Sequence, residues 1–144
     1  MFKLALMLHV LGAAIWVGGH LVLLFGYVPK AVKNKDCSII EGFESKYEPI
    51  GVPALIIQII TGIYMAFFYF DYKFMSFSNG LERAVNVKVI LLLCIFALAI
   101  HARFFIIPKL NKNNLMPMIY HIVGVNIISV LMLIIGVLFR FGGI

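Results

Sequence analysis

Four runs of apolar residues, separated by polar links, account for most of the chain. They occupy about residues 4–28, 50–70, 85–107 and 116–139. Each approaches the roughly 20 apolar residues that an α-helix needs to cross about 30 Å of hydrocarbon. No segment alternates with the two-residue period of a half-buried strand. The pattern predicts an all-α fold: an integral membrane four-helix bundle, up-down-up-down, in a single transmembrane domain over residues 1–144. Pro29 and Pro108 follow the first and third runs and are expected to stop those helices, because proline contributes no donor to the ladder. The long polar link, residues 29–49, mixes Lys30, Lys33, Lys35 and Lys46 with Asp36, Glu41, Glu44 and Glu48. It is expected to be a loop, with room for a short amphipathic helix at the surface. The aromatic link "FDYKFMSFSNGLE" is expected at the membrane interface.

Composition rules out the soluble alternative. Of 144 residues, 63% are hydrophobic and 12% charged, and the mean hydropathy is +1.07. A soluble domain this small has too much surface for its volume to hide so many apolar side chains. Lipid must solvate the outer face, so the bilayer is the first partner. The net charge of +6 lies mostly in the links. It implies anionic headgroups, and no nucleic acid is expected. The first run lacks a cleavage site and is expected to be a retained helix. Cys37 and Cys94 stand in unlike surroundings, so no disulfide is expected. Let side A be the side that holds Met1, and side B the other. Lys and Arg then number seven on side B and five on side A. That excess places side B in the cytoplasm.

The polar residues left inside the runs carry the candidate chemistry. Apart from Lys and Arg near the ends, they are His9, His20, His101, His121, Gln58 and Asn126. Ionisable groups are costly in hydrocarbon, so they face the bundle interior and mark function. His9, Gly12, Trp16 and His20 fall on one helical face. With a rise of about 1.5 Å per residue, His20 lies roughly 27 Å from side A, His101 about 25 Å and His121 about 28 Å. These three are level, near side B, and are the expected metal ligands. His9, about 10 Å from side A, cannot share their metal. Gly19 beside His20, and Gly124 one turn after His121, are expected to leave room for a flat cofactor or a close helix contact. Gln58 and Asn126 are expected to bridge helices by hydrogen bonds.

Two chemistries suit imidazoles in such a bundle. A pair on facing helices can ligate haem iron axially. Three can hold copper or zinc. No hydrolytic triad, phosphate loop or paired-carboxylate site is present, which favours electron transfer or ion passage over hydrolysis.

The stretch "LHVLGAAIWVGG" resembles the first helix of the CopD copper-resistance family. It also resembles the related HemJ-type protoporphyrinogen oxidases, small four-helix membrane proteins that bind b-type haem. "FESKYEPIGVPALIIQIITGIYM" and "VKVILLLCIFALAIH" are similar to the second and third helices of the HemJ type. That resemblance implies functional positions at His9, Lys88 and His101. The fourth helix lacks the Asn-Glu-x-Pro signature of the HemJ type. The CopD resemblance implies copper movement across a bacterial inner membrane, within a larger complex.

The expected function is therefore a membrane protein that holds haem b through two of His20, His101 and His121. It would serve in electron transfer or as an oxidoreductase of the protoporphyrinogen oxidase kind. His9 and Trp16 would line a quinone or porphyrin pocket, and Lys88 would attract a propionate. The alternative is copper binding or copper transport through the same histidines. A homo-oligomer or a larger membrane complex is compatible with either.

Overall fold

A computed structural model describes residues 1–69, 73, 75–110 and 115–144. The expected end of the second span at Phe70, and parts of the two short links, lie outside the described residues. Five α-helices form among the described residues: α1 Phe2–Val22, α2 Val28–Asn34, α3 Ser38–Tyr69, α4 Gly80–His101 and α5 Met116–Leu138. Together with short π and 3-10 turns they make four stretches long and apolar enough to cross a membrane: Phe2–Asn34, Ser38–Phe68, Gly80–Lys109 and Met116–Phe141. No strand occurs among the described residues. The all-α four-helix expectation holds.

Two local expectations change. Pro29 does not end the first helix. The bond it cannot donate would have gone to Phe25, one turn earlier. That turn has widened into a π segment, Leu23–Tyr27, and the chain stays helical to Asn34. The same device precedes Pro108, where a π segment, Ala102–Ile106, runs into a 3-10 turn at Ile107–Lys109.

The polar link 29–49 is not a loop. The helix continues to Asn34, Lys35 takes a left-handed conformation at φ 52°, and α3 opens at Ser38. Asp36 Oδ1 accepts the Ser38 backbone N–H at 3.0 Å, which helps to set this corner. The corner holds because its apolar positions are buried together: Val28, Ala31 and Ile40 pack with Leu23, Leu115, Met118 and Ile122. Ala31 and Ile40 are wholly inaccessible. As a result α3 has 32 residues, with Pro49 and Pro53 inside it. It is about 48 Å long.

α1 packs most extensively on α3, and α5 packs on both α1 and α4. Small residues set the closest approach: a Cβ on Gly12 would stand 2.7 Å from the Ala54 carbonyl oxygen. α3 and α4 make little direct contact, so the bundle is open on one side. Large apolar side chains such as Phe25, Ile60, Leu93 and Phe104 point outward, as expected where lipid is the solvent. At side A, the Asn79 side chain caps α4 by accepting the Glu82 N–H at 2.9 Å.

Candidate metal cleft

The side-B histidines are placed by α1, α4 and α5. His121 stands one turn into α5, and its Nδ1 lies 2.8 Å from the Pro117 carbonyl oxygen. A carbonyl only accepts, so Nδ1 carries the proton and Nε2 holds a lone pair. That lone pair faces His101 Nδ1, also at 2.8 Å. His101 is therefore the donor in this pair, and its own Nε2 is left with a lone pair. The two rings lie nearly parallel, with centroids 4.9 Å apart and planes 10° from one another. Phe105 stacks on His101 at 5.3 Å. The expected common height of His101 and His121 is thus observed.

His20 is oriented by the same rule. Its Nδ1 donates to the Trp16 carbonyl at 2.8 Å, one turn back along α1. Trp16 stacks obliquely on it at 4.4 Å, and the Tyr47 ring meets it edge-on at 5.6 Å. Trp16 Nε1 donates to Ser129 Oγ at 3.1 Å, which ties α1 to α5. The three side-B imidazoles are met as a hydrogen-bonded pair and a separate ring. Among the described residues no three His, Cys, Asp or Glu side chains are close enough to form one metal cage.

A cavity of about 490 Å³ in the cleft beside α4 joins His20 to His121, whereas His101 is exposed and stands outside its lining, so it does not face the bundle interior as expected. His20 and His121 line the cavity, with Trp16, Tyr47, Met118, Glu44, Glu48 and Arg103. The last five of these were not among the expected site residues; Tyr47, Glu44 and Glu48 escaped notice because the link 29–49 read as a loop. Their signal was present: Glu44, Tyr47 and Glu48 fall at helical spacing on one face of α3.

The space beside Gly19 is not a cofactor seat. The Tyr47 ring fills it, and a Cβ on Gly19 would run into that ring. Tyr47 donates its hydroxyl to the Ile15 carbonyl at 3.0 Å. Gly124 faces Leu98, 3.4 Å from where its Cβ would be, so it serves the approach of α4 to α5. His9 belongs to a different neighbourhood, as expected. Its Nδ1 lies 2.8 Å from the Gln58 carbonyl and 3.1 Å from Thr61 Oγ1. Lys88 is close enough to interact electrostatically with His9, and its ammonium lies over the Phe139 ring at 5.6 Å. Gln58 and Asn126 do not bridge helices as expected. Asn126 spends its amide on the Ile122 carbonyl of its own helix at 2.8 Å. Both side-chain oxygens, Gln58 Oε1 and Asn126 Oδ1, are buried without a hydrogen-bond partner among the described residues.

The geometry bears on the two expected cofactors differently. Axial ligands of one haem iron stand on opposite faces of the macrocycle. His101 and His121 share a direct hydrogen bond, so as they stand they do not flank a porphyrin. The cleft lining offers the free His20 Nε2, the His121 Nε2 that now accepts from His101, a thioether and two carboxylates, a donor set that copper accepts. Residues 41–140 match the family model of copper resistance protein D. No curated protein and no solved structure gives a match. The match falls on the copper alternative and lends nothing to the expected haem b or to the HemJ type.

Proposed function

The chain belongs to the copper resistance protein D family, and from that premise we propose that it takes copper as cargo into the side-B cleft. It is an integral membrane protein, with four membrane-crossing stretches. The observation that carries the proposal is His121, which lines the cleft with its Nδ1 held by the Pro117 carbonyl and with the exposed His101 paired to its Nε2 at the rim. A carbonyl that fixes one ring nitrogen and frees the other is the usual outer support of a metal-bound histidine.

Copper arriving at the pair would part the two rings and take the Nε2 lone pair of each, which the neutral tautomers already hold, so no proton has to leave. His20 presents a third nitrogen across the cleft, and Met118 a thioether. Nitrogen and carboxylate donors suit Cu(II), and the thioether suits Cu(I). The open arrangement favours cargo over a resident ion. Passage needs a site that captures yet releases, and a closed cage of three or four fixed ligands would hold too long.

The test is copper binding by the purified protein in detergent, with His101→Ala and His121→Ala beside it. Wild-type protein retains copper through dialysis, and each variant loses it. Retention by both variants removes the proposal. An absorption spectrum taken on the same samples shows whether a Soret band is present, and haem without bound copper would restore the other expectation.

A further inference from the structure

The cleft has an open side, which copper capture does not explain. α3 and α4 make little direct contact, so the gap between them faces the bilayer. Its side-B edge carries Glu44 and Glu48 of α3, with Arg103 of the π segment that follows α4. Glu48 and Arg103 are exposed and Glu44 is half-buried. Arg103 is close enough to Glu44 to interact electrostatically. Even so, among the described residues neither the two carboxylates nor the guanidinium has a hydrogen bond or an ion-pair partner.

Below this edge the lining turns apolar. Val52 lies one turn from Glu48 toward side A, and Ala99 and Leu98 lie four and five residues from Arg103 in the same direction. The drop from Arg103 to Leu98 is about 7.5 Å, half of the roughly 15 Å of hydrocarbon in one leaflet. Charge above and hydrocarbon below is the order of groups in a side-B lipid. The cavity, about 490 Å³, is in the range of small-molecule sites, roughly 300–1,000 Å³, and far exceeds one metal ion.

The charges at the edge select the headgroup. A guanidinium matches a phosphate with two parallel hydrogen bonds. A primary ammonium brings three N–H donors to a pair of carboxylates, and a trimethylammonium brings none. A headgroup with net negative charge would meet an edge that has one more carboxylate than guanidinium.

We infer that the open side of the cleft binds one phospholipid with a primary-amine zwitterionic headgroup, its phosphate on Arg103, its ammonium on Glu44 and Glu48, and an acyl chain along Val52, Ala99 and Leu98. The lipid completes the wall that α3 and α4 leave open. It uses no histidine, so it binds whether or not copper is the cargo.

The test is native mass spectrometry of the protein released from mixed micelles. The micelles hold equal amounts of phosphatidylethanolamine, phosphatidylcholine and phosphatidylglycerol with the same acyl chains. A chelator is present, because a metal cation would compete for the same carboxylates. Wild-type protein retains one phosphatidylethanolamine per chain, in preference to either other lipid by about tenfold, the worth of one charge-assisted hydrogen bond. Arg103→Gln loses the retained lipid. Glu44→Gln with Glu48→Gln still retains lipid but no longer separates phosphatidylethanolamine from phosphatidylcholine. Soluble phosphoethanolamine, which has no chain for the apolar wall, displaces none of it. No retained lipid, equal retention of the three, or displacement by the free headgroup overturns the inference, as does wild-type behaviour in either variant. The comparison of the three lipids on wild-type protein decides where a variant fails to fold.

Discussion

Replacing Gly19 by alanine probes how the cleft is held shut on its α1–α3 side. The new methyl group lands on the Tyr47 ring. The ring has little room to retreat. Gly51 backs it, where a Cβ would lie 2.7 Å away, and Phe43 stacks on it at 5.5 Å. Overpacking of this kind costs about 1–3 kcal/mol. Loss of the Tyr47 hydroxyl bond to the Ile15 carbonyl adds about 0.5–1.5 kcal/mol. Against this, alanine is about 1 kcal/mol better than glycine inside a helix. The net expectation is a loss of roughly 1–3 kcal/mol. With Tyr47→Ala already present the clash is gone, and Gly19→Ala should then stabilise by up to about 1 kcal/mol. The sign therefore reverses, with a coupling energy of roughly 2–4 kcal/mol. Denaturation in mixed micelles measures it. Trp16, the single tryptophan of the chain, sits one turn from Gly19 and reports unfolding by fluorescence. Equal costs in both backgrounds would refute the packing argument.

Three further outcomes are expected. His121→Ala should weaken copper binding by at least about tenfold in competition with a coloured chelator, because it removes a donor and frees its partner ring. His9→Ala should leave that affinity within about twofold, since His9 lies roughly 16 Å along α1 from His20; a bleached site would mean the two ends are coupled. Trp16→Phe strips the buried Ser129 hydroxyl of its donor and should destabilise by about 1–3 kcal/mol, read by circular dichroism because the fluorophore is lost.

Much of this architecture could be read from the chain, and the reasons differ by residue. The four spans were legible because hydrocarbon accepts so few polar groups that apolar run length is close to diagnostic. The meeting of His101 and His121 was legible because helical rise fixes depth. The corner at Lys35–Cys37 was not. Its buried positions, Val28, Ala31 and Ile40, are few and are spread among lysines and acids, so local composition hid a tertiary contact. That error concealed Glu44, Tyr47 and Glu48 as cleft residues. His20 was assigned the right depth, but depth does not fix rotation. Its Nδ1 turned to the Trp16 carbonyl, and Tyr47 took the space beside Gly19. The fate of Gln58 and Asn126 could not be read at all, because whether an amide finds a partner depends on the opposite helix.

The length of α3 has a consequence for how cargo arrives. A rod of about 48 Å, even leaning by about 40°, still projects about 37 Å along the bilayer normal, more than a hydrocarbon slab of about 30 Å can cover. The charged amino-terminal turns, which hold Glu41, Glu44 and Glu48, are the end expected to overhang into the headgroup layer on side B. A hydrated cation can exchange water for carboxylate oxygen at that ledge before it meets any imidazole. Dehydration is then spread over two short steps in a wet zone, and no bare ion has to face the oily interior to reach the first nitrogen donor.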